Sequence, residues 1–101
     1  EGCVLAIISK NETYGYEISR QLEEYGFGNI AEGTIYPLLL RLEKNKFISA
    51  VYRQSEVGPK RKYYSLTDAG REELKTFFKN YRELADAVQR LEADMEGMND
   101  E

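Results

Sequence analysis

The chain has 101 residues, 42% of them apolar and 32% charged, enough to fill one small core but not two. Its formal charge of -4 excludes a uniformly basic nucleic-acid coat, and the absence of histidine removes the usual ligands and bases of transition-metal and acid–base sites. No apolar run reaches the length of a membrane span or of a signal-peptide core.

Val4, Leu5, Ile7 and Ile8 form a dense apolar patch ending at Ser9-Lys10-Asn11-Glu12, which predicts the last turns of a buried first helix. The chain opens on Glu rather than Met, so this helix is expected to be truncated. Cys3, beside Val4 and Leu5, is expected to act as a small buried hydrophobe rather than a reactive thiol. As the only cysteine it allows no internal disulfide and fits a reducing cytoplasm, where the sequon-like Asn11-Glu12-Thr13 is a chance match. Thr13 is the expected N-cap of a second helix that carries Tyr14, Ile18, Leu22 and Tyr25 on one stripe and stops at Gly26. After a turn from Phe27 to Ala31, a third helix starts between Glu32 and Thr34. Pro37 is expected in its first turn, where a missing N–H costs nothing, with Ile35, Leu38, Leu39 and Leu42 inward and Asn45-Lys46 at its end.

Ile48 to Ser55 alternates as a strand with Ile48, Ala50 and Tyr52 on one face. Lys62 to Leu66 answers it with Tyr64 and Leu66 inward, and Gly58, Pro59, Lys60 and Arg61 lie in the turn between. Three helices and a hairpin make a winged helix-turn-helix. Thr67 caps a last helix, with Asp68 in its first turn. Its apolar residues Leu74, Phe77, Tyr81, Leu84, Val88, Leu91, Met95 and Met98 recur alternately at three and four, a heptad seam that so small a domain cannot cover from within. The expected fold is therefore mainly α with a small β-hairpin. A winged helix-turn-helix over residues 1–66 is followed by a long C-terminal dimerisation helix over residues 67–101, making a homodimer. Phe78, Ala85 and Ala87 widen the stripe beyond a two-helix seam, which leaves room for the first helix of the other subunit.

Charge is divided as sharply as structure. From Thr34 to Lys62, seven basic residues (Arg41, Lys44, Lys46, Arg53, Lys60, Arg61, Lys62) face Glu43 and Glu56, a net of +5; from Thr67 onward five basic residues face ten carboxylates, a net of -5. The first segment attracts phosphate and the second repels it. On the third helix the face opposite the core carries Tyr36, Pro37, Leu40, Arg41 and Lys44, and Gly33 and Thr34 offer backbone N–H groups at its N-terminus. This is the helix expected in the major groove, with Thr34, Tyr36 and Arg41 as contacts and Lys60, Arg61 and Lys62 at the wing tip.

Several motifs in order resemble the PadR family of bacterial transcriptional regulators. They are Tyr14-Gly15-Tyr16-Glu17-Ile18, Gly33-Thr34-Ile35-Tyr36-Pro37-Leu38-Leu39, Arg41-Leu42-Glu43, Gly58-Pro59-Lys60-Arg61-Lys62-Tyr63-Tyr64-Ser65-Leu66-Thr67 and Gly70-Arg71. The single helix after the wing resembles the subgroup with a short C-terminal region, in which that helix dimerises and frames an effector cavity. The resemblance implies a repressor released from its operator by a small, often aromatic, compound near Phe77, Tyr81, Leu84 and Val88, and the two-fold symmetry of a dimer makes that operator an inverted repeat in double-stranded DNA. No cofactor is expected.

Each residue also has a plainer reading. Arg41 and Lys44 lie where an amphipathic helix is charged by default, Tyr36 suits a half-buried spacer, and Tyr16 braces two helices as readily as it bonds a phosphate. The seam residues Leu74, Phe77, Tyr81, Leu84, Val88, Leu91 and Met95 are first of all a coiled coil. Glu92, Asp94 and Glu96 form a solvated face rather than a metal site, because alternate residues on a helix diverge. An enzyme is the weakest reading, since no nucleophile has an adjacent base and no Gly-rich loop cradles phosphate. The main competitor is a winged-helix module that binds proteins instead of DNA.

Overall fold

The computed structural model describes residues 1–54 and 58–99, with side chains described as far as Gly97. Ser55, at the end of the expected first strand, and the Met98 side chain of the seam lie outside the described residues. In chain order the elements are α1 (Gly2–Lys10), α2 (Gly15–Glu24), α3 (Glu32–Lys44), β1 (Ile48–Arg53), β2 (Arg61–Leu66) and α4 (Asp68–Asn99). The strands form one antiparallel pair running from Ile48 opposite Leu66 to Arg53 opposite Arg61.

The core follows the apolar periodicity. α1 buries Val4, Leu5, Ile7 and Ile8, as a helix apolar on most sides must, while α2 contributes Ile18 and Leu22 and α3 contributes Ile35, Leu39 and Leu42. Ile48 and Tyr64 close it from the hairpin. Tyr52, expected inward, shares their sheet face but lies past the edge of the core and is exposed.

Four local expectations are corrected. Thr13 does not cap α2, whose N-cap is Tyr14. Instead Thr13 pairs with the far edge of β2, its N–H donating to the Tyr64 carbonyl at 3.1 Å and its own carbonyl accepting from the Tyr64 N–H at 2.7 Å. Ladder pairing satisfies a donor and an acceptor together, and it outcompetes a single side-chain cap. Pro37 sits in the second turn of α3, not the first; the Gly33 carbonyl loses its helical donor but faces water, so the helix continues. Tyr25 is the C-cap of α2 rather than part of its buried stripe, and its exposed hydroxyl accepts a hydrogen bond from Lys10 Nζ at 2.7 Å. Cys3 is half-buried, at the wall of an apolar groove.

Thr67 caps α4 as its position suggests, accepting from the Gly70 N–H at 3.0 Å and donating to the Lys46 carbonyl at 2.7 Å. Gly70 lies against the Phe47 carbonyl with no room for a Cβ, so the first turn of α4 is pinned to the segment between α3 and β1. One and two turns on, Leu74 packs against the core and the Phe77 ring lies against Gly2 of α1. These two seam residues thus contact their own chain. Beyond them Tyr81, Leu84, Val88, Leu91 and Met95 are all more than half exposed. The protruding helix accounts for the radius of gyration of 17.6 Å, against about 13 Å for a compact chain of 100 residues.

Candidate nucleic-acid interface

α3 buries one side and presents Glu32, Gly33, Thr34, Tyr36, Pro37, Leu40, Arg41 and Lys44 outward. Between this helix, the start of α2 and the hairpin runs a groove of about 630 Å³. Tyr14, Gly15 and Tyr16 line it from α2, Glu32, Tyr36 and Leu40 from α3, and Tyr52, Pro59, Lys60, Arg61, Lys62 and Tyr64 from the hairpin. The groove therefore gathers Tyr16, Tyr36, Lys60, Arg61 and Lys62 of the expected contacts. Gly33, Thr34, Pro37, Arg41 and Lys44 lie outside it on the exposed surface of α3.

The Gly15 position is dictated by this packing. A Cβ there would stand 3.0 Å from Cε1 of Tyr36, so only glycine lets α2 and α3 approach this closely without displacing the ring. The Tyr36 hydroxyl donates to Glu32 Oε2 at 3.2 Å, one turn earlier on α3. Burial first, then the Glu32 carboxylate, pushes the Tyr36 phenol above the usual tyrosine range, so it stays protonated. Tyr16 is exposed and free to turn toward a ligand.

The basic residues are not equivalent. Arg41 is paired with Glu1, Arg53 lies 2.5 Å from Glu12, and Lys62 lies 2.8 Å from Glu43. Arg61 stacks its guanidinium over the Tyr14 ring at 4.3 Å. Lys44, Lys46 and Lys60 are exposed and have no ion pair among the described residues. Arg61 and Lys62, expected at the wing tip, belong to β2, with Arg61 opposite Arg53 and Lys62 opposite Tyr52. The hairpin ladder extends further toward the turn than the apolar alternation of the sequence reaches. Sequence reasoning missed Tyr14 and Tyr52 as groove walls and Glu1, Glu12 and Glu43 as partners of the basic residues. Alternation did place Tyr52 on the Tyr64 face, but pairs 19 to 41 positions apart leave no local signal.

A short-turned helix pair followed by a hairpin, with a groove between the second of those helices and the wing, defines a winged-helix protein. The family model described as "Transcriptional regulator PadR-like family" matches residues 4–76. A crystal structure of a PadR-like transcriptional regulator from Bacillus cereus strain ATCC 14579 is 48% identical and superposes with a TM-score of 0.79, covering 89% of this chain and 87% of that one. The negative transcriptional regulator PadR of Bacillus subtilis (strain 168) is 33% identical over 89 residues, which are 84% of this chain and 48% of that protein, so the chain spans about half that relative's length. A crystal structure of Bacillus subtilis PadR in complex with operator DNA is 29% identical with a TM-score of 0.70, covering 76% of this chain and 44% of that one. The chain belongs to the PadR-like family of transcriptional regulators, which are not enzymes.

Proposed function

We propose that this protein is a homodimeric repressor that binds an inverted-repeat operator in double-stranded DNA and is released by a small aromatic compound. The observation that carries the DNA-binding part is the groove itself, where the outward side of α3 and the cationic hairpin converge from separate parts of the chain. Thr34, Tyr36 and Arg41 would meet base edges and phosphates, Gly33 and Pro37 would allow close approach, Lys44, Lys60 and Arg61 would supply positive charge, and Tyr16 would bond a phosphate. The relative crystallised with operator DNA supports this partner.

The dimer reading divides the chain into a winged helix over residues 1–66 and a dimerising segment over residues 67–101. It is supported by Tyr81, Leu84, Val88, Leu91 and Met95, which lie exposed along α4. An apolar groove of about 300 Å³, lined by Cys3, Ala6, Ile7, Leu22, Phe27 and Phe78 among others, lies beside α1 and suits the α4 of the other subunit. Leu74 and Phe77 would join the interface only by their remaining exposed edges. For the effector, Phe77, Tyr81 and Leu84 line a shallow site of about 300 Å³ with Glu73, Thr76 and Asn80, and Val88 follows one turn later. A planar compound there would change the separation of the two α4 helices and hence the spacing of the reading heads, which must match about 34 Å or a multiple of it.

The test is a salt series of duplex binding read by fluorescence anisotropy. Affinity should fall by about 10³ or more between low and moderately high salt, and Lys60→Ala with Arg61→Ala should flatten that slope while base preference persists. A double variant with the original slope rules out phosphate contact by the wing. Effector release is tested by titrating phenolic compounds with and without operator, because linkage requires DNA and compound to weaken each other by the same factor.

A further inference from the structure

The hairpin is fastened to the rest of the fold by cations rather than by apolar burial alone. Lys62 leaves β2 on the inner face, two residues from the buried Tyr64 and directly opposite Tyr52. Its ammonium donates to Glu43 Oε1 at 2.8 Å, from the last turns of α3. The same nitrogen lies 5.5 Å from the Tyr64 ring centroid and 5.8 Å from that of Tyr52. The pair is half-enclosed, with side-chain exposures of 25% for Lys62 and 35% for Glu43, whereas Arg41 and Arg53 are 56% and 59% exposed.

We propose that Lys62 is a positioning residue, which sets the wing at a fixed angle to α3 through Glu43 instead of neutralising a DNA phosphate. This rests on the DNA-binding reading above. For Lys62 to reach a phosphate it would have to give up a charge-assisted hydrogen bond and two aromatic faces. It would also leave the Glu43 carboxylate half-buried, unpaired and beside an incoming negative charge. Lys60 pays no such cost, being exposed and without an ion pair among the described residues. A wing held in place presents Lys60 to the backbone at the moment α3 enters the groove, so ordering is not charged against binding. The same bond raises the Lys62 ammonium above the ordinary lysine range, so the ammonium stays charged.

The two roles differ in their salt dependence. A phosphate contact contributes to the slope of affinity against salt, whereas a latch changes affinity at all salt concentrations alike. The experiment compares full-length wild type, Lys60→Ala, Lys62→Met, Glu43→Gln and the exchange Lys62→Glu with Glu43→Lys, on operator duplex across a salt series, with circular dichroism melts confirming each fold. Lys60→Ala should reduce the slope by about one phosphate per subunit. Lys62→Met should keep the wild-type slope while weakening binding by roughly threefold to tenfold. Glu43→Gln should weaken binding too, although it removes a negative charge from the DNA side, and the exchange should restore most of the lost affinity. A slope reduced by Lys62→Met as much as by Lys60→Ala overturns the proposal alone, as does tighter binding by Glu43→Gln or an exchange variant weaker than both single ones. Wild type that binds no duplex at low salt overturns the DNA-binding reading and this one with it.

Discussion

The winged-helix half and the outer half of α4 are built from similar side chains and treat them in opposite ways. Ile35, Leu39 and Leu42 are each 1% exposed, whereas Leu84 and Leu91 are 63% and 64% exposed. Both sets recur with helical period, so periodicity alone does not say what covers a stripe. In the first half three short helices and a hairpin surround one another. α4 instead leaves them after Phe78, and each further turn carries its apolar residues about 5.4 Å away with none of the described residues covering them. The division of charge follows the same line, with a net of +5 from Thr34 to Lys62 and of -5 from Thr67 onward. A helix that combines acid outward with an unpaired apolar stripe suits contact with a protein surface, not with phosphate.

The sharpest way to break this contrast is to charge the exposed stripe. Leu84→Glu with Leu91→Glu should convert a dimer into a monomer that retains its winged-helix core, with operator affinity falling by about 10²-fold or more as bivalent engagement is lost. An unchanged sedimentation coefficient for that variant places the interface elsewhere. A matched pair of truncations separates the two environments. Leu39→Ala should cost about 2–5 kcal/mol at any protein concentration, whereas the loss from Leu91→Ala should depend on concentration, as the stability of an assembled species must. Equal, concentration-independent shifts in chemical unfolding would remove the distinction.

The junction between the halves gives a smaller effect. Thr67 accepts from Gly70 and donates to Lys46, so Thr67→Ala should cost about 0.5–2 kcal/mol in thermal unfolding, and Thr67→Ser should recover most of it. Finally, alkaline pH acts on the first half through three groups. Burial pushes the Tyr64 phenol up, burial and Glu32 do the same to Tyr36, and the hydrogen bond to Glu43 raises Lys62. In the unfolded chain these groups lose their protons first, near their ordinary values of 10.0 for tyrosine and 10.5 for lysine. Their stabilisation is therefore whole below about pH 10 and is lost as pH rises through the higher folded values. Tyr64→Phe should make the alkaline decline of the melting temperature shallower, and an identical decline in both proteins would locate its cause outside Tyr64.

The sequence by itself determined the order of elements, because apolar spacing, the turn residues after each helix and the Thr67 cap are local properties of the chain. It also determined which faces of α3 and α4 are apolar, and that positive charge gathers in the middle third. Only the tertiary structure decided what those groups do. Thr13 became a strand partner because Tyr64 offered it two backbone hydrogen bonds, an option invisible from residues 51 positions away. Leu74 was packed against the chain's own core and Phe77 against Gly2, while Leu84 and Leu91, further along the same stripe, were left bare. Arg41, Arg53 and Lys62 were taken up by Glu1, Glu12 and Glu43, which leaves Lys60 and Arg61 as the exposed cations of the groove. Side-chain type and spacing fix a local preference, but the partner that satisfies it is chosen by which distant segments the closed core brings within reach.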